Sequence, residues 1–226
     1  MRMFCGNGWD STDIVITPAM VPGEETGADL HMSLSDRKGN SAIIEIKGGQ
    51  FKIHQNEKYR VMTNDPFYDQ QLIIDKYWQW QWDMKEGGNK HASQTLPGTP
   101  FSDARFATAS YYINHLDKDA TQTSDDVVAQ MFSIIYNASV PIGYASPNPG
   151  EPNVSSTLWS TVADHNRLNY YFKDTLTPNI FWTELEGFLD AEDNYLLPMK
   201  SDCCQQKYYA GCVNDKMVKA RDFYHI

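Results

Sequence analysis

The hydrophobic period of this chain changes near Asn64-Asp65-Pro66, and that change limits the folds open to it. Upstream, residues 28–35 alternate apolar and polar side chains, as a strand in a half-buried sheet does, and residues 41–46 read as the return strand. Asp36-Arg37-Lys38-Gly39-Asn40 supplies turn chemistry between them, and Gly48-Gly49 turns the chain again into residues 50–54. A further short strand is expected over residues 59–63, stopping at Asn64-Asp65-Pro66. Such an antiparallel meander needs a covered face. Downstream the spacing turns helical: over residues 67–82, Leu72, Ile73, Tyr77 and Trp80 fall near one stripe.

Residues 87–100 read as a loop. A second helix is expected to begin near Ser102-Asp103 and to carry Phe106, Ala109, Ile113 and Leu116. Ser124-Asp125-Asp126 announces a third, with Ser124 as the cap and Val127, Val128, Met131, Ile134 and Ile135 following. Residues 141–153 are rich in proline and read as a long connection. The clearest hairpin pairs residues 157–163 with 168–173 across Asp164-His165-Asn166-Arg167, and residues 179–184 add one more strand. Strands, then helices, then strands point to α+β, with helices covering an antiparallel sheet. Residues 1–13 and 191–226 carry no assignable pattern, which leaves one α+β domain over 14–190.

A net charge of −10 over 226 residues opposes binding to phosphate backbones and to anionic membranes. The chain has no run near the roughly 20 apolar residues of a membrane span, and no apolar stretch of a signal peptide follows Met1-Arg2. A soluble protein is expected. The cysteines Cys5, Cys203, Cys204 and Cys212 match no zinc spacing, and a disulfide from Cys212 to Cys203 or Cys204 stays open. His31 and His54 sit in or beside strands and read as hydrogen-bonded structural residues. Asp164-His165 reads as turn chemistry. No serine lies in a Gly-x-Ser-x-Gly elbow.

In their order and spacing, several segments resemble the choloylglycine hydrolase family, which includes bile salt hydrolases and penicillin V acylases. They are Leu30-His31-Met32-Ser33-Leu34-Ser35-Asp36, Ile43-Ile44-Glu45, Val61-Met62-Thr63-Asn64-Asp65-Pro66, Leu96-Pro97-Gly98, Ser102-Asp103-Ala104-Arg105-Phe106 and the hairpin ending at Phe172. The resemblance covers residues 14–188 and implies the αββα N-terminal-nucleophile fold. It also implies hydrolysis of linear amide C–N bonds, with a small acyl amide such as a conjugated bile salt or penicillin V as substrate. No cofactor or metal is implied.

In that family a terminal Cys attacks the amide carbonyl after its own α-amine takes the thiol proton. The resemblance maps an oxyanion donor to Asn64 and a cation beside the thiolate to Arg105. It places the nucleophile upstream of the residue 28–35 strand, and no such segment is recognisable here. Cys5 becomes a candidate nucleophile only if Met1 through Phe4 are removed. Two outcomes are therefore expected: an amide hydrolase of this type, or a truncated, non-catalytic homologue that binds a ligand or a partner. An uncovered sheet edge would favour self-association into homo-oligomers. Tyr77, Trp78, Trp80 and Trp82 are expected either to line an acyl pocket or to pack, and they cannot all face one way.

Overall fold

The computed structural model describes residues 2–3 (backbone alone), 31–82, 96–117, 123–144, 156–199 and 208–220. The chain divides into two compact units, Met1–Leu116 and Asp117–Ile226.

The first unit holds a sheet in the order β1 (Arg2–Met3), β2 (Met32–Ser35), β3 (Ser41–Lys47) and β4 (Gln50–Gln55). β1 runs parallel to β2, and the other pairs are antiparallel. Gly48 and Gly49 join β3 to β4 with φ of 58° and 76°. A two-residue hairpin turn with both φ positive suits the strand twist, and glycine takes that shape without a Cβ clash. The turn sets the register, pairing Lys47 with Gln50 and Glu45 with Lys52. Side chains alternate along β3, so Ile43 and Glu45 share one face while Ile44 and Ile46 share the other.

The face with Ile43 is covered by helices. Ile43, Tyr68 of α1 (Tyr68–Gln81) and Phe106 of α2 (Ser102–Asn114) form the buried core, with Tyr59, Val61, Leu72 and Ile74 around it. On the opposite face Ile46, Phe51 and Ile53 are exposed. The expected strand over 59–63 is not formed. Tyr59 N donates to Asn56 O, and both backbone groups of Thr63 bond to side chains rather than to a neighbouring strand. The apolar residues of that segment, Tyr59, Val61 and Met62, pack against the core instead of marking a paired strand.

The second unit packs α3 (Ser124–Asn137) on a sheet ordered β5 (Trp159–Asp164), β6 (Asn169–Asp174), β7 (Phe181–Glu184) and β9 (Gly211–Cys212). Val128, Phe132, Val162 and Tyr171 form its buried core. The helix begins one residue earlier than Ser124 suggested. Thr123 is the cap, accepting from Asp126 N, while the Asp126 carboxylate accepts from Thr123 N. This capping box leaves Ser124 as the first helical residue.

The hairpin forms as expected. Asp164 pairs with Asn169, and the Asp164 carboxylate accepts from the backbone of Asn166 and Arg167 at 2.9 and 3.1 Å. Two assignments come from the stretch that carried no pattern. β9 extends the sheet parallel to β7, and β8 (Tyr195–Leu196) pairs with β10 (Val218–Lys219). Two-residue strands are too short to show a period.

Candidate functional site

Asn64 and Arg105 are 41 residues apart in sequence and meet at the start of α2. Arg105 Nη2 donates to Asn64 Oδ1 at 3.1 Å, and Ser102 Oγ donates to the same oxygen at 2.9 Å. Arg105 Nη2 also donates to Ser102 Oγ at 3.1 Å, closing a triangle. A guanidinium can only donate, so the amide oxygen of Asn64 must face it. The Asn64 Nδ2 hydrogens are thereby left as the donors of this side chain.

Arg105 is half-buried, and burial pulls its pKa below the ordinary guanidinium value. Its Nε is buried with no hydrogen-bond partner among the described residues. A desolvated cation with an unused donor, beside an amide whose N–H groups remain, forms an electropositive corner. Such a corner suits an anion or a developing oxyanion.

The segment carrying Asn64 is held from beneath by buried polar groups. Gln71 has no exposed surface. It accepts from Thr63 N at 3.0 Å and donates to Thr63 O and Pro66 O at 2.8 and 2.6 Å. His31 Nδ1 lies 3.0 Å from Thr63 O, and its Nε2 lies 3.2 Å from Glu45 Oε1. Glu45, 1% exposed, also meets His54 Nε2 at 2.9 Å and accepts from Tyr68 N at 2.6 Å. His31 and His54 are therefore hydrogen-bonded structural residues, as the sequence suggested.

Glu45, Gln71 and Ser102 add to the site residues to which the sequence points. For Glu45 a signal existed. The Gly48-Gly49 turn fixes which residues share a face, and a carboxylate at the Ile43 face needs buried partners. Gln71 bonds mostly to backbone, which leaves no trace in side-chain pattern.

The aromatic run on α1 splits between packing and exposure. Trp82 is buried against Trp78 and Tyr111, while Tyr77 and Trp80 are exposed. A cavity of about 400 Å³ in the first unit is lined by Tyr59, Val61, Tyr68, Leu72 and Phe106, with the Asp75 carboxyl in its wall. Burial raises the Asp75 pKa, opposed by hydrogen bonds from Ser110 and Gln79. Asn64, Ser102 and Arg105 do not line that cavity. Cys5, Cys203 and Cys204 lie outside the described residues. Cys212 is exposed, with Sγ 3.5 Å from Asn214 Oδ1. No His, Cys, Asp and Glu cluster fit for a metal ion occurs among the described residues, nor any helix long and apolar enough to cross a membrane.

Residues 10–196 match the model of the linear amide C–N hydrolases, choloylglycine hydrolase family. The chain is 41% identical over 182 residues to a penicillin V acylase of Pectobacterium atrosepticum, which covers 76% of this chain and 46% of that protein. The solved penicillin V acylase of Agrobacterium tumefaciens superposes with a TM-score of 0.71 at 37% identity, over 84% of this chain and 56% of that one. A conjugated bile acid hydrolase variant of Clostridium perfringens shares the fold, with a TM-score of 0.54 at 19% identity over 70% of this chain and 50% of that one. The chain thus spans about half the length of the proteins it matches.

Proposed function

Since this chain belongs to the choloylglycine hydrolase family of linear amide C–N hydrolases, we propose that it carries the oxyanion side of a cysteine-dependent amide hydrolase site. The observation that carries the reading is the fixed Asn64 amide, its oxygen held by Arg105 and Ser102 and its Nδ2 hydrogens left to donate. A preorganised donor of this kind contributes about 3 kcal/mol to an acyl-transfer transition state. Arg105, desolvated and cationic, favours the ionised form of a thiol placed beside it.

In this reading a thiolate attacks the amide carbonyl and the carbonyl oxygen takes the negative charge beside Asn64. Collapse expels the amine with a proton, and water then frees the acid from the acyl-enzyme. Identity favours an acyl group like that of penicillin V over a bile acid, because the acylases share 37–41% of residues and the bile acid hydrolase 19%. Cys5 is the first candidate for the nucleophile. Otherwise the thiol comes from a segment outside these 226 residues, and this chain contributes the oxyanion side alone.

The test is amine release from penicillin V and from glycine- and taurine-conjugated bile salts by the purified chain, with and without a thiol-blocking reagent. Release that the reagent abolishes places the nucleophile in this chain. A folded sample that releases nothing but binds phenoxyacetate, and loses that binding in Asn64→Ala, supports the oxyanion-side reading with an external nucleophile. Binding that Asn64→Ala leaves unchanged would sink the reading.

A further inference from the structure

We propose that Gln71 is a positioning residue for Asn64, with His31 as its second anchor; this rests on the oxyanion-side reading of Asn64. Gln71 stands on α1, one turn after Tyr68, and its side chain is wholly withdrawn from solvent. Its amide meets both backbone groups of Thr63 at once, N–H at 3.0 Å and C=O at 2.8 Å, as a neighbouring strand would. The same Nε2 reaches Pro66 O at 2.6 Å. One side chain therefore closes the loop across both ends, with Asn64 and Asp65 between the two attachment points.

His31 makes the clamp two-sided. Its Nδ1 takes up the second acceptor position of Thr63 O, and its Nε2 rests on Glu45 Oε1. That carboxylate oxygen also receives Tyr68 N, at the first residue of the helix that carries Gln71. The loop, the sheet and the start of α1 are thus tied into one closed circuit of buried hydrogen bonds. From above, Ser102 and Arg105 hold only the side-chain oxygen of Asn64. Backbone position comes from Gln71 and side-chain orientation from α2, and a catalytic donor needs both, because misplacement by about 1 Å costs about a hundredfold.

The experiment uses the ¹⁵N-labelled full chain and the variants Gln71→Met, Gln71→Glu, Asn64→Ala and Phe106→Leu. Phe106→Leu is a core substitution that leaves the clamp groups in place. Two quantities are read: the Asn64 side-chain amide signals with Thr63 amide exchange, and the dissociation constant for phenoxyacetate. Gln71→Met is expected to shift the Asn64 signals, unprotect the Thr63 amide and weaken phenoxyacetate by about tenfold or more. Gln71→Glu keeps the acceptor for Thr63 N and, once its carboxyl is protonated at acid pH, one donor for Thr63 O or Pro66 O, so there it is expected to restore Thr63 protection and part of the affinity; it also serves if the Met variant does not fold. Phe106→Leu is expected to lower the melting temperature with both readouts unmoved.

Gln71 variants that leave the Asn64 signals where they are overturn the positioning role, whatever happens to stability. Wild-type chain that ignores phenoxyacetate, or Asn64→Ala that binds it normally, overturns the oxyanion reading instead. The Asn64 signals then still decide whether Gln71 sets the loop.

Discussion

Arg105 Nη2 and Asn64 Oδ1 lie 3.1 Å apart, one at the start of a helix and the other in a turn 41 residues earlier. The contact is made by a guanidinium whose pKa burial lowers and whose Nε has no partner among the described residues. Folding alone gains little from such a group, because a desolvated cation with an unused donor opposes stability. Arg105→Met is therefore expected to leave the melting temperature unchanged or raised. The same substitution should weaken phenoxyacetate binding about tenfold or more, since hydrogen bonds to charged groups contribute about 1.5–3 kcal/mol. Arg105→Lys should not restore it, as an ammonium lacks the planar fork that reaches Asn64 and Ser102 together. Calorimetry and ligand titration on the three proteins decide the matter. A marked loss of stability in Arg105→Met would identify the residue as structural.

Glu45 presents the opposite case. Its carboxylate is buried, and both oxygens meet hydrogen-bonding neighbours, with His31 and Tyr68 N on one and His54 on the other. Removing one member of such a set strands the others, at a cost of about 3–5 kcal/mol. Glu45→Leu should show that loss in urea denaturation. Glu45→Gln should cost less, because an amide oxygen still accepts from Tyr68 N. Equal losses would mean that the charge carries the whole contribution and a neutral acceptor none.

The sequence is most legible where geometry is local. Gly48-Gly49 implied the β3–β4 hairpin, and Asp164 to Arg167 implied the turn between β5 and β6. What a period cannot encode is a partner of a different kind. Residues 59–63 read as a strand, yet Thr63 bonds to Gln71 and His31 side chains. Asn64 and Arg105 could be paired only through the family resemblance, because no local rule links residues 41 positions apart. Ser102 stands one helical turn before Arg105 in the same matched segment, yet the segment alone gives it no role. Its role depends on a side-chain rotamer that composition does not specify.

The start of α3 offers a direct test of one such local miss. Thr123, not Ser124, accepts from Asp126 N and completes the reciprocal pair with its carboxylate. Thr123→Ala should destabilise the protein by about 1 kcal/mol, and Thr123→Ser should be nearly silent. Ser124→Ala, at the first helical position, should change little. If Ser124→Ala proved the costlier substitution, the cap would be where the sequence pattern placed it. Chemical denaturation of the three variants at one pH is sufficient.

The turn between β5 and β6 carries a pH dependence whose sign can be worked out. Burial acts to raise the Asp164 pKa and is the largest single influence. Hydrogen bonds from the Arg167 side chain, Arg167 N and Asn166 N together outweigh it, so the pKa lies below the usual carboxylate range. Arg167 is itself held by Asp125 at 2.7 Å and by the Tyr171 hydroxyl at 2.8 Å, which keeps its guanidinium in place against Asp164. A carboxyl whose pKa is lower folded than unfolded stabilises the fold above the unfolded value, about 3.9. As pH falls below that, the unfolded chain takes up the proton first and the contribution shrinks. It is gone once the folded carboxyl is protonated too. Asp164→Asn keeps an acceptor for the turn and removes the charge, so the stability gap between it and the wild type isolates the ionic part. That gap, read from urea midpoints, should be widest near neutral pH and close below about pH 4. A gap that stays constant through the acid range would show that Asp164 acts in the turn as a neutral acceptor, with the Arg167 pairing contributing nothing to stability.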